Sequence, residues 1–275
     1  MAIIATVLGV FLLAAAWRLG PWLADGDRRF IATAVASLIT IGAWFAGYQL
    51  TYVALRIVPW DDALFFERLP LYASIVLLLS ICVRRLDRRL VRLAVGTIAA
   101  VFSLYAIAEL AAPLPLPHFS GQLSASTEGP PEVMQSTGWS CGAAALAWAA
   151  RLHGVPASER QMAELAVTAP LRGTSTRGML RALHHAGLDA YAVRPASRED
   201  LAAAPKPVLI GWKLTRTVAH SALVLSIEGD EITVGDPLAG SVTYSYDHFR
   251  DRWMCDMIVI IPPDGTPGEP PSSDR

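Results

Sequence analysis

Lysine is almost missing from this 275-residue chain: Lys206 and Lys213 are the only two, and arginine fills the other basic positions. Charge of either sign is scarce. Charged residues make up 17% of the chain, where a soluble domain carries about 25%. Hydrophobic residues reach 53% and the mean hydropathy is +0.39. Such a composition excludes an ordinary soluble globule and a disordered chain. A net charge of −1 leaves no overall basic field to recruit nucleic acid. Cysteine is scarce too. Cys82, Cys141 and Cys255 are too few for a disulfide framework, and no C-x-x-C spacing offers a structural zinc site. No metal or cofactor is expected. The preference for arginine, with abundant alanine, points to a GC-rich bacterial source.

Long apolar runs are what the chain does have. Four occupy residues 2–17, 30–55, 69–83 and 93–108. The second is long enough to span a bilayer. The first and fourth reach that length with their flanking Leu, Gly, Val and Ala residues, and the third is extended upstream by residues 63–66 across Glu67. The runs lack the polar face of a soluble helix, so residues 1–112 are expected to form four transmembrane helices. Arginine sets their orientation. Arg18, Arg28 and Arg29 follow the first run, and Arg84, Arg85, Arg88, Arg89 and Arg92 follow the third. Between the second and third, Arg56 and Arg68 are offset by Asp61, Asp62 and Glu67. The first and third loops are therefore cytoplasmic, and everything after the fourth helix lies outside. This predicts a multi-pass protein of the bacterial inner membrane with an extracytoplasmic C-terminal domain. Trp17, Trp22 and Trp60 stand at run ends as interface anchors. A cleaved signal peptide ending at Ala14-Ala15-Ala16 would need a basic start, which Met1-Ala2-Ile3 does not supply. Glu109, at the outer end of the fourth run, reads as an interfacial charge.

Residues 113–134 read as a Pro-rich linker, stiffened by Pro113, Pro115 and Pro117. Residues 262–275, rich in Pro, Gly and Ser, read as a disordered tail. The domain between them, 135–261, places helices before strands. Helices are expected at 143–152, from the capping signal Ser158-Glu159-Arg160-Gln161, and at 176–186 up to Gly187. Strands follow at 191–193, 208–214, 222–227, 231–234, 242–246 and 257–261, with a hairpin turn at Gly229-Asp230. Helices followed by an antiparallel sheet make an α+β domain.

The stretch Gln135-Ser-Thr-Gly-Trp-Ser-Cys141-Gly142 runs directly into the Ala-rich helix. A cysteine at a helix N-terminus meets free N–H groups and the positive end of the macrodipole, which favour the thiolate. Cys255, in Trp253-Met254-Cys255-Asp256, is expected to be a packing residue. A thiolate nucleophile needs a base, and the base an orienting group. The histidines are His118 in the linker, His153 capping the Cys141 helix, His184 and His185 on a helix surface, His248, and His220. Only His220 opens an apolar strand. The hairpin that follows ends at Val234-Gly235-Asp236-Pro237, so antiparallel pairing brings Asp236 to the same end as His220. Gln135 can supply an amide N–H to a developing oxyanion beside the Cys141 backbone. Each residue alone has a structural reading: a packed cysteine, an Asp-Pro turn, a surface glutamine.

Together, Gln135-x5-Cys141-Gly142-Ala-Ala, His220 opening a strand and Asp236-Pro237-x-x-Gly240 resemble the bacteriocin-processing cysteine peptidases, which are papain-like domains that cut leader peptides after a Gly-Gly pair. The resemblance covers about 125 residues, from Val133 to near Ile261. It implies Cys141 as nucleophile, His220 as general base, Asp236 as orienter and Gln135 as oxyanion donor. The expected function is a membrane-anchored peptidase acting on a peptide or protein, with the lipid bilayer and a separate exporter as partners. The chain departs from family members fused to exporters: it has no Walker A motif, and its topology places the domain outside the cytoplasm. Ser221 and Ala222 follow the histidine where bulkier residues are common, which would reshape the substrate cleft. Two other readings remain open: a cell-wall amidase or amide transferase of the same geometry, and a non-catalytic peptide-binding membrane protein.

Overall fold

The computed structural model describes residues 2–54, 68–170 and 172–261, with side chains from 3–44, 68–170 and 172–261. The expected tail at 262–275, and Arg56, Trp60, Asp61, Asp62 and Glu67 of the second loop, lie outside the described residues. The chain divides into two units, Met1–Leu114 and Pro115–Arg275.

In the first unit the apolar runs form helices α1 (Ala2–Ala24), α2 (Asp27–Ala54), α3 (Leu69–Arg85) and α4 (Arg89–Ala111). Pro70 opens α3, where its missing N–H costs no helical bond. α3 packs against α1, α2 and α4, with Leu13, Leu71, Tyr72, Val76, Ala106 and Leu110 in one buried cluster. Ion pairs mark both ends of α3. Arg68 holds Glu109 at 2.9 Å, and Arg85 holds Asp27 at 2.7 Å. Large apolar side chains cover the outer surface, with Phe11 69%, Ile39 64% and Leu104 68% exposed. Two segments, Ile3–Ala24 and Arg89–Ala111, are long and apolar enough to cross a membrane, each with a mean hydropathy of 2.0. At 17 residues α3 sits at the lower limit of a span.

After short helical turns at Leu116–Phe119 and Ser120–Gln122, the second unit has helices α5 (Cys141–Leu152), α6 (Glu159–Leu165) and α7 (Thr176–His185) before its first strand. From Gly142 to Ala150 every residue of α5 is buried. Its alanines permit this, because the helix lies among α6, α7, β2 (Val208–Lys213) and β3 (Ala219–Glu228). The remaining strands are β1 (Asp189–Val193), β4 (Glu231–Asp236), β5 (Gly240–Ser245) and β6 (Trp253–Ile261). All pair antiparallel in one six-stranded sheet of order β1-β6-β2-β3-β4-β5. Helices first and an antiparallel sheet after is the expected α+β order. The β3–β4 hairpin turns at Gly229, whose φ of +64° suits glycine. Val208, Ile210, Trp212, Val224, Val234 and Phe249 fill one core.

The helical turns before α5 lie in the stretch expected to be a linker, and two further short helices were not expected. α8 (Arg198–Ala203) opens with a full capping box, Ser197 and Asp200 bonding reciprocally. α9 (Tyr246–Arg252) begins at the residue where strand 242–246 was expected to end. Cys255 corrects another expectation. It is exposed, with φ +54°, rather than packed. It belongs to the irregular β2–β6 pairing between Ile210 and Trp212, where Asp256 Oδ1 accepts from Gly211 N–H at 2.9 Å.

Residues 120–136 run as a strap over α6 and the end of α5. Arg160 donates from Nε to Ser120 O at 2.9 Å and from Nη2 to Leu123 O at 3.0 Å. Arg151 Nη1 donates to Pro130 O at 3.0 Å. Fixed arginine forks suit such carbonyl clamps.

Candidate active site

Thr137-Gly138-Trp139-Ser140 makes the turn that launches α5. Ser140 Oγ accepts from Thr137 N–H at 3.1 Å and donates to Thr137 O at 3.0 Å. That engages the N-cap hydroxyl within the turn, and it makes no cap bond to the helix. No side chain therefore competes for the first-turn N–H groups, which an N-cap normally occupies. Cys141 is the first helical residue, at that positive end.

β3 brings His220 to the same place, and β4 brings Asp236. His220 Nε2 and Asp236 Oδ1 are 2.7 Å apart, both residues buried. That bond leaves Nδ1 of the ring for the thiol, and His220 and Cys141 shift each other's titration. The Asp236 carboxylate is held in turn by Leu238 N–H, which donates to Oδ1 at 2.8 Å in the tight turn after β4. The register runs Leu223 opposite Gly235, so His220 and Asp236 close the same end of the hairpin, as its length requires.

Each group titrates away from its ordinary value. Burial pushes the Cys141 thiol up, but the His220 hydrogen bond and charge, with N–H groups of Ser221 and Gly142, outweigh it and hold the thiol below 9.0. Burial disfavours a charged His220, yet its bonds to Asp236 and Cys141 raise it to about 9. Burial likewise raises Asp236, and the bonds from His220 and Leu238 together with the His220 and Arg252 charges turn the net shift downward. The arrangement favours a thiolate beside an imidazolium that rests on a carboxylate.

Gln135 is tied to both sides of the site. Its N–H donates to Pro237 O at 2.9 Å, next to Asp236, and its Nε2 donates to Thr137 O at 2.7 Å, in the turn before Cys141. The second Nε2 hydrogen can serve another acceptor. The other histidines stand apart. His153 caps α5 with its Nε2 buried and unpartnered. His184 and His185 are exposed on α7, and His248 stacks on Tyr244 at 5.2 Å. Ser221 contributes its backbone to Cys141, whereas Ala222 is fully buried in the core and shapes no cleft. Glu159 was missed as a site-building residue. Its buried carboxylate accepts from Ser124 N–H at 3.0 Å and Ser136 N–H at 2.8 Å, and neither partner is near it in sequence. Among the described residues no cluster of His, Cys, Asp or Glu could hold a metal ion.

A sequence model of the peptidase C39 family matches residues 131–265. An uncharacterised protein of Methanothermobacter marburgensis is 35% identical over 128 residues, covering 46% of this chain and 86% of that protein. The lactococcin-G-processing and transport ATP-binding protein LagD of Lactococcus lactis subsp. lactis is 26% identical over 117 residues, which is 41% of this chain and 16% of LagD. Among solved structures, a double glycine motif protease from an AMS/PCAT transporter in complex with the leader peptide has a TM-score of 0.43 at 21% identity, over 49% of this chain and 92% of that one. The peptidase domain of Streptococcus ComA has a TM-score of 0.42 at 22% identity, over 46% and 95%. The chain belongs to the peptidase C39 family, and it is a cysteine peptidase.

Proposed function

We propose that this protein is a membrane-anchored peptidase that cuts leader peptides through Cys141, His220 and Asp236, with Gln135 serving the oxyanion. The observation that carries this reading is the buried 2.7 Å bond of His220 to Asp236 at the end of the hairpin, beside Cys141 at the helix start, with His220 drawing the thiol downward. In it the Cys141 thiolate attacks the scissile carbonyl carbon, and the carbonyl electron pair moves to oxygen. The Cys141 backbone N–H and Gln135 Nε2 donate to that oxyanion. As the tetrahedral carbon collapses, the C–N bond breaks and the His220 imidazolium gives its Nδ1 proton to the leaving amine. Water then attacks the thioester, passing a proton to Nδ1, and releases the acid and the thiolate.

The name of LagD joins processing to transport, and this supports a leader-bearing peptide destined for export as substrate, with a separate exporter as partner. The test is incubation of the purified full chain in detergent with synthetic peptides carrying a Gly-Gly leader, read by mass spectrometry. Cleavage after the glycine pair is expected. Failure to cut any such peptide, with no labelling by an electrophilic peptide probe, would overturn the reading.

The apolar outer surface of α1 to α4 supports insertion as a multi-pass anchor, and the arginine asymmetry supports an extracytoplasmic peptidase domain. Protease added to intact spheroplasts is expected to digest the chain beyond residue 112. Protection of that part until lysis would reverse the topology.

A further inference from the structure

We propose that Glu159 is a positioning residue for the oxyanion side of the site, acting through Gln135. The inference rests on the reading of Gln135 as an oxyanion donor and explains what holds that donor in place. Glu159 is fully buried, and a buried carboxylate is unfavourable unless hydrogen bonds surround it. Three do: Ser136 N–H on Oε1 at 2.8 Å, and Ser124 N–H at 3.0 Å and Ser136 Oγ at 2.5 Å on Oε2. The donors lie 23 and 35 positions away in sequence. The carboxylate therefore fixes the strap rather than its own helix.

What it fixes is specific. The peptide plane before the Gln135 Cα is held by Pro237 O, which accepts from Gln135 N–H at 2.9 Å. The plane after it is held by Glu159, through Ser136 N–H. With both planes fixed, the backbone direction at Gln135 is set, and the side chain lies across the turn to Thr137 O. Of the two bonds that hold the peptide planes, only the Glu159 bond comes from a side chain, so it can be removed by substitution without rebuilding the backbone. Among the described hydrogen bonds and ion pairs Glu159 has none with Cys141, His220 or Asp236. Its loss should leave the thiolate–imidazolium pair intact while letting the oxyanion donor drift, and a donor misplaced by about an ångström forfeits much of its effect.

Two rates separate these functions. Alkylation of Cys141 by iodoacetamide needs the thiolate but no oxyanion donor; peptide cleavage needs both. In the full chain in detergent, Glu159→Ala is expected to lower kcat roughly 10- to 100-fold, approaching the ~10²–10³-fold loss of a missing oxyanion donor in Gln135→Ala. KM and the alkylation rate should hold within about twofold. Ser136→Ala, which removes the Oγ bond and keeps the N–H bond, should move kcat the same way by less, with circular dichroism as the folding control. Glu159→Gln, which keeps the Ser136 N–H bond, should recover part of the loss. The double variant Glu159→Ala/Gln135→Ala should be no slower than Gln135→Ala alone, since one residue acts through the other. Losses that multiply in the double variant, or alkylation falling in step with cleavage, would overturn the proposal. A loss in Gln135→Ala with wild-type turnover in both Glu159→Ala and Ser136→Ala would overturn it while leaving the oxyanion reading standing. Wild-type turnover in Gln135→Ala would remove that reading and the proposal with it.

Discussion

Cys141→Ala is expected to abolish peptide cleavage, while Cys255→Ala leaves it within about twofold, as surface substitutions do. Both thiols are free, and Cys255 is the more exposed, so accessibility alone favours the wrong one. Electrostatics decide the matter. Cys141 begins a helix, receives backbone N–H groups and faces His220. Burial opposes the thiolate, but these contacts outweigh it, so the thiol loses its proton more readily than an ordinary cysteine. Cleavage needs the thiolate and the imidazolium together, because the imidazolium must protonate the leaving amine. Activity should therefore rise with pH as the thiol loses its proton, then fall as His220 loses its own at about 9. Alkylation needs only the thiolate and should not share that alkaline fall. Mapping iodoacetamide adducts under reducing conditions from about pH 5 to about pH 9 tests this. Equal labelling of Cys141 and Cys255 throughout would contradict an activated Cys141.

His220→Ala is expected to lower turnover by ~10²–10⁴-fold, the usual contribution of a group that serves as both base and acid. Asp236→Asn should cost less. Asn can still accept from Nε2 and from Leu238 N–H, and a thiol depends less on its orienter than a hydroxyl does. The carboxylate nevertheless helps hold His220 at about 9, so Asp236→Asn should move the alkaline limb of activity to lower pH. A merely structural aspartate would not move that limb. Turnover of one peptide by both variants, with circular dichroism as the folding control, measures both effects. Wild-type turnover in His220→Ala would end the catalytic assignment, and an unmoved limb in Asp236→Asn would end the orienting role.

Hairpin arithmetic is why His220 and Asp236 were readable from sequence: a short turn at Gly229 forces strand ends together, whatever else the chain does. Cys141 was readable because the Ala-rich run announced a helix and the Gly-Trp-Ser stretch its start. Local signals failed where tertiary contacts govern. Nothing around Glu159 announces partners at Ser124 and Ser136. The expected exchange at Ser158 and Gln161 supplies one recorded cap bond, Ser158 Oγ accepting from Gln161 N–H, while Glu159 turns to the strap. Cys255 was misjudged because an apolar neighbourhood hides a bulge, and the bulge depends on Asp256 meeting Gly211 across the sheet. α9 was missed since the Tyr and Phe that mark a strand also cover a short helix, here with Tyr246 and Phe249 packed on the core.

The position of β6 has a consequence for the order in which the domain is made. β6 is the last of the described strands yet lies between β1 and β2, and β1 has no other described neighbour in the sheet. A nascent chain emerges from its N-terminus. The meander β2 to β5, which carries His220 and Asp236, can pair strand by strand as it appears, while β1 waits as an unpaired edge until Ile261 has been synthesised. Throughout that interval the end of the sheet beside β2 is open, and its unpaired N–H and C=O groups are available to other chains. The closing strand thus acts as a keystone: the strands that carry His220 and Asp236 can form early, and the strand that seals the sheet arrives after them.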